Sequence, residues 1–347
     1  GSSAGGVGGS SAEGVGGSSA GSAGASGHGG STMTADLPPR CGFRPTPPKP
    51  KEFILGVTSR RIWTRAHEVI LGIGVDVPPA TDLPEVPTTQ WANQVVAELL
   101  AAPKGASPTK RGLVDFVLRY TEEPFFEPEL PSAAYWAERM ASNGATLGTL
   151  IAAPSPASMT GQTGIFTDAE LLKRHPSIGS RGSWLMKSLF CRVVPLPPFD
   201  HPPVLPAAPT RRQAHEAVIP PGSICAACHR PIDPLGFSLE HFDEHGVYRE
   251  AENGFPVDST GSFASSGVEL VFTSFADLAP KLAESCEVAH CFAESWLKDV
   301  ITFGVSDVPF DSPSEAEVNQ IANAFADSGF SILELARAMV VSPALLR

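Results

Sequence analysis

The chain has 347 residues, 25 basic against 37 acidic side chains, a formal charge of −12 and no Lys/Arg-rich run. That balance argues against nucleic acid or an anionic membrane surface as partner, and no apolar run reaches the ~18 residues of a membrane-spanning helix. The length leaves room for two core-bearing units. A start at Gly1, with neither initiator Met nor apolar leader, reads as processed or truncated, with further domains or a membrane anchor expected upstream.

Residues 1–33 are low-complexity Gly/Ser/Ala with the near-repeats GGSSAEGV and GGSSAGSA, and they read as a disordered linker. A helical region is expected over 34–160. It opens proline-rich, with Cys41, and then shows apolar periodicity from Phe53 to Leu71, where His67 reads as a core histidine. Trp91 to Ala102 follows as helix. Ser107 as N-cap and Pro108 at the first helical position predict another from Lys110 to Glu122. Ser132–Ala141 and Thr146–Ala153 complete the region.

A third segment, 161–250, begins with short helices expected near Asp168–Arg174 and Ser180–Cys191. Pro195 to Pro209 is too proline-dense for helix or central strand and is expected to be polyproline-like. A short polar helix, Arg211–Glu216, is joined by Pro220-Pro221-Gly222 to Cys225-Ala226-Ala227-Cys228-His229. The last five residues spell C-x-x-C-H, the pattern of covalent haem attachment. Both thiols must reach the vinyl groups along one porphyrin edge, and the next residue then sits beneath the ring. There His229 can reach the iron as proximal ligand. Two other uses of the cysteines stay open. A redox dithiol wants a βαβ setting, which is missing here, and zinc wants a second close cysteine pair or spaced histidines. Haem ranks first, zinc second and a thiol enzyme third.

Leu235, Phe237, Leu239 and Phe242 read as an apolar wall for the ring, with Asp233 as a turn or cap residue ahead of Pro234. Arg249 and Arg230 suit haem propionates or, equally, ion pairs with Glu240 or Asp243. His241 and His245 lie beside acidic residues and read as surface. An electron carrier needs a second axial ligand. His215 is the choice over His175, His201, Met159 and Met186, the last of which lies among core residues. The alternative for His215 is a structural hydrogen bond near the motif.

From 251 to 347 a C-terminal helical domain is expected, packed on the haem unit through a short, partly apolar connection. Val257–Phe263 suggests a hairpin or turn. Helices are expected at Ser274–Ser285, Glu287–Phe303, Ser314–Ala326 and Ser331–Val341, with Met339 in the core. Removing the two motif cysteines leaves Cys41, Cys191, Cys286 and Cys291, enough for two disulfides in any of three pairings.

The stretch CAACHRPIDPLGFSLEHFDEHGVYRE resembles the signature of an uncharacterised family of bacterial cytochrome c-like domains that accompany planctomycete-type cytochromes. The upstream RHPSIGSRGSWLMKSLFCRVVPLPPFD is similar to that family's His-Pro, Arg-Gly and polyproline segment, and Phe275–Arg347 to its small C-terminal helical partner. The resemblance implies one covalent haem c per chain and an exported, periplasmic or cell-surface location; a histidine near the place of His215 also recurs in the family. The fold expected is mainly α: a helical N-terminal region, a cytochrome c-like haem unit with a polyproline loop, and a C-terminal helical bundle. The leading function is a non-enzymatic electron carrier for an unknown redox partner protein. A peroxidase-like haem enzyme or sensor with an open sixth position, and a zinc-stabilised interaction module, are the alternatives.

Overall fold

The computed structural model of the chain describes residues 40–43, 133–140, 144–154, 162–194, 204–265, 267–302, 313–340 and 342. All of them belong to a unit running from Pro39 to Arg347. The Gly/Ser segment, the helices expected between Phe53 and Glu122, and His67, Met159 and His201 lie outside the described residues.

The fold is mainly helical. In order come α1 (Ala133–Met140), α2 (Leu147–Ile151), a 3-10 turn at Ile165–Thr167, α3 (Ala169–Arg174), α4 (Ile178–Phe190), α5 (Arg211–Val218) and α6 (Ile224–Ser238). Two antiparallel hairpins follow, β1 (Ala251–Glu252) with β2 (Phe255–Pro256) and β3 (Gly261–Ser265) with β4 (Val268–Phe272). The chain then forms α7 (Phe275–Ala283), α8 (Cys286–Thr302), α9 (Glu315–Asp327) and α10 (Ile332–Val340). No described helix is long and apolar enough to cross a membrane.

Local chemistry explains the helix starts. Asp168, Ser177, Thr210, Ser223, Ser274 and Ser314 each accept a backbone N–H of the first turn. These bonds satisfy donors that a helix start leaves orphaned. At Ser314 the cap is reciprocal, because Glu317 Oε2 accepts the Ser314 N–H at 2.8 Å.

Strand structure exceeds the expectation. Val257–Phe263 reads in sequence as a small hairpin or turn, but only its last three residues enter a strand. Phe263 pairs with Leu270, and Gly261 with Phe272, so the hairpin extends to a turn at Gly267. Alternate residues Phe263 and Ser265 face inward.

The two largest helix–helix contacts join α4 to α6 and α8 to α9. At the first, backbone meets backbone. A Cβ on Gly182 of α4 would lie 2.1 Å from the Ile232 carbonyl oxygen, and one on Gly236 of α6 would lie 2.2 Å from that of Ile178. Only glycine permits that approach. Arg181, next to Gly182 in α4, is wholly buried. It donates to the carbonyls of His175 (3.0 Å), Leu239 (3.2 Å), Phe242 (2.5 Å) and Asp243, tying α4 to the end of α6. Burial lowers its pKa to about 10, so it remains charged at neutral pH.

A single core cluster runs across the boundary expected near 250, from Trp184, Leu185, Leu189 and Leu235 to Phe275, Phe292, Trp296 and Met339. Two disulfides cross it. Cys191–Cys291 joins the end of α4 to α8, and Cys41–Cys286 clips the N-terminal strip to the start of α8. That strip is also held by Asn323, whose amide accepts the Phe43 N–H at 3.2 Å and donates to the Phe43 carbonyl at 2.8 Å. Residues 144–151 reach the same bundle, with Leu147 N–H donating to the Phe330 carbonyl at 3.0 Å.

Gly182→Ala should lower unfolding free energy by about 3 kcal/mol, the upper range for overpacking, since the obstacle is a carbonyl. Urea unfolding reads it, and an unchanged midpoint would refute the close crossing. Replacing Cys191 and Cys291 together by Ala should remove about 2–5 kcal/mol, because the bridge closes a separation of 100 residues. A thermal midpoint equal to wild type under oxidising conditions would rule out that bond.

Candidate functional site

The motif lies on the first turns of α6. Ser223 accepts the Ala226 N–H at 3.2 Å and starts the helix. Cys225 and Cys228 then stand one turn apart on the same side of it, and they are the free cysteines. Cys228 is exposed and Cys225 half-buried. Ile224 is 76% exposed, and Ala227, Cys228 and Pro231 are exposed with it. Spacings of three, four and seven residues place these four in one uncovered apolar stripe.

The helix continues where the sequence suggests a turn. Asp233 is not a cap; it sits inside α6, which runs through Pro231 and Pro234 to Ser238. Each proline lacks an N–H, so the Ala227 and Arg230 carbonyls lose their intrahelical donors. Because the helix persists, Asp233 is four residues from His229 and on its face. Its Oδ1 lies 2.8 Å from His229 Nδ1. Its Oδ2 lies 2.9 Å from His215 Nε2 on α5, close but off the hydrogen-bond axis, so that buried nitrogen has no aligned partner. Burial alone would raise the Asp233 pKa, and the two imidazoles outweigh it, leaving the carboxyl below the ordinary aspartate range.

The structure thus brings His215 and His229 together, with ring centres 5.2 Å apart and planes inclined by 60°. Gly179, in the first turn of α4, backs both: a Cβ there would lie 3.0 Å from His229 Cε1 and 4.0 Å from His215 Cε1. Phe237 stands edge-on to His215 at 6.0 Å, with the Arg212 guanidinium 4.2 Å above its own ring. Among the described residues, His215, His229 and Asp233 are the group of three whose donor atoms all lie within 4.8 Å.

Other expected site residues fall elsewhere. Leu235, Leu239 and Phe242 are buried in the main core and present no open wall. Arg249 pairs with Glu252 at 2.9 Å and lies 3.9 Å from Glu240, the ion-pair alternative its sequence setting allows. Its Nε and Nη2 still lack hydrogen-bond partners. Arg230 is exposed. His241 Nδ1 donates to the Arg249 carbonyl, 3.0 Å away, and is half-buried, whereas His245 is on the surface. Met186 is core, and His175 stacks on Trp184 at 4.7 Å. Sequence reasoning missed Asp233 and Gly179. The H-x-x-x-D spacing could have found Asp233, had helix been expected through the prolines.

These features define a mainly helical domain built on a C-x-x-C-H helix that carries two unpaired thiols. Residues 162–252, covering α3 to β1, match the family model PSCyt3, described as a protein of unknown function (DUF1588) and named for its cytochrome association. No curated protein matches the chain, and no solved structure does.

In haem-free protein pulsed with a mild reductant that is then removed, a thiol-specific chromogen should titrate two thiols per chain, Cys228 before Cys225. Titration of none, or of four or more, would contradict the cysteine assignment.

Proposed function

We propose that the chain is a c-type cytochrome module that carries one covalent haem on Cys225 and Cys228, with His229 as axial ligand, and transfers electrons outside the cytoplasm. The observation that carries this reading is the unpaired cysteine pair beside an uncovered apolar stripe, in a chain whose other four cysteines are all crosslinked. Disulfides persist in oxidising compartments, where a close free pair would itself be oxidised unless something occupied it.

The donor set fits haem. Asp233 occupies His229 Nδ1, which leaves Nε2 as the free ring nitrogen of that side chain. A carboxylate on the far nitrogen of a metal-bound imidazole orients the ring and raises its basicity. Ile224, Ala227 and Pro231 would lose water contact beneath an apolar ring, and Arg230, exposed two residues beyond Cys228, is the guanidinium group proposed for a propionate. The haem, when bound, supplies a one-electron iron couple. The residues of the chain fix its position through two thioether bonds and hold the proximal imidazole on a helix anchored by α4.

Periplasmically matured protein should run as a haem-staining band on denaturing gels and give the pyridine spectrum of a doubly saturated c-type haem. Cys225→Ala with Cys228→Ala should abolish both. A stained band that survives this double change would overturn the assignment. The clustering of His215, His229 and Asp233 favours a second reading, a non-haem divalent ion held by these three. Stoichiometric zinc in protein without the stained band would establish that instead.

A further inference from the structure

We propose that His215 and Asp233 form an imidazole–carboxylate relay behind His229, so that His215 acts on the iron through Asp233 and His229 and is not the ligand on the opposite face. The proposal rests on the haem reading above.

His229 Nδ1 is engaged by Asp233 Oδ1 at 2.8 Å, so only Nε2, on the far edge of the ring, is left for metal. Asp233 is therefore behind His229 as seen from any iron it binds. His215 Nε2 lies 2.9 Å from the other oxygen of the same carboxylate, which places that nitrogen behind His229 as well.

Distance agrees. Two imidazoles on opposite faces of one metal, each with a bond of about 2 Å, have ring centres separated by about 6 Å. Here the separation is 5.2 Å and the ring nitrogens converge on a carboxylate. Burial also agrees. His215 is 7% exposed and Asp233 9%, and the first turn of α4 closes over both imidazole edges at Gly179. A side chain due to meet a large planar ligand would have an open approach; His215 is enclosed by α4, Phe237 and Asp233.

Asp233 and His215 are thus positioning residues. The carboxylate draws on the Nδ1 proton of His229 and makes Nε2 a stronger donor, which favours ferric over ferrous iron. His215 Nε2 lies against the second carboxylate oxygen, 2.9 Å away though off the hydrogen-bond axis, and so limits the angle at which the first meets His229.

The test uses haem-loaded full chain and three variants, Asp233→Asn, His215→Ala and His215→Gln. At a solution potential near the wild-type midpoint, Asp233→Asn should raise the ferrous-to-ferric ratio by about tenfold or more, the scale on which loss of a carboxylate behind a metal-bound imidazole acts. His215→Ala should shift the ratio in the same direction while leaving the ferric spin state, read by electron paramagnetic resonance, as in wild type. His215→Gln, which keeps a donor for Asp233, should restore the ratio towards wild type. Conversion of low-spin to high-spin iron in His215→Ala, reversed by added imidazole, would show direct ligation and overturn the proposal. An unchanged ratio in both Asp233→Asn and His215→Ala would overturn it too. Should Asp233→Asn fail to fold, the spin state and ratio of the two His215 variants decide alone. Wild-type chain that matures without covalent haem defeats the underlying reading; covalent haem with either overturning result defeats the relay alone.

Discussion

The close contact of α4 with α6 is the constraint on which the rest depends. Two glycines, one on each helix, let a carbonyl of the partner sit where a side chain would be, at Gly182 and at Gly236. Helices that touch at backbone cannot slide, since any shift drives a Cβ-bearing neighbour into a carbonyl. This rigidity matters because α6 is weak by its own sequence, with two internal prolines. The prolines remove hydrogen bonds that an isolated helix would need. Held against α4, the segment stays helical from the motif to Ser238, and the one-turn spacing of His229 and Asp233 follows.

Charge locks the other half of the site. Glu240, just past α6, is 1% exposed. Burial raises its pKa, with Arg211, Arg181 and Arg249 opposing that rise. Arg211 opens α5 and reaches Glu240 at 3.1 Å, while its own backbone N–H donates to Glu252 Oε2 at 2.8 Å. Arg212 covers Phe237 and donates to the Thr260 carbonyl at 2.7 Å. Helix α5 is thereby fixed at both its base and its flank, and Ala214 and His215 form its buried face. A short polar helix with little apolar surface of its own is set in register by ion pairs that are largely removed from water. Severing one of them would leave a buried partner uncompensated.

Much of this could be read from residues in order, and the failures have physical causes. Helices of the C-terminal bundle were legible because local signals coincide: Ser274 and Ser314 cap, Gly329 turns, and the apolar period runs between them. The motif itself stood out through its spacing. What spacing could not reveal was the helical state of the residues after it, since Pro231 and Pro234 argue locally for a break and only contact with α4 reverses that. The inward burial of Leu235, Leu239 and Phe242 was hidden for the same reason: without the helix, their facing is undefined. The disulfide partners were beyond reach because pairing is set by tertiary contact between segments up to 245 residues apart.

That pairing has a consequence for how the chain must be made. Read from the N-terminus, the cysteines fall at 41, 191, 225, 228, 286 and 291, and the two bonds interleave: 41 with 286, 191 with 291. An oxidant that joined cysteines in the order they emerged would link Cys41 to Cys191 and Cys225 to Cys228, and every one of those bonds would be wrong. Six cysteines admit 15 complete pairings. The native arrangement therefore requires either that Cys41 and Cys191 stay reduced until α8 exists, or that early mistakes be exchanged out. Thiol–disulfide shuffling also threatens the motif pair for as long as it is bare, because each of its thiolates can attack a neighbouring bond. Occupying Cys225 and Cys228 early would remove two competitors and reduce the choice to three pairings among the remaining four. Quality of oxidation and loading of the motif are in this way one problem of timing.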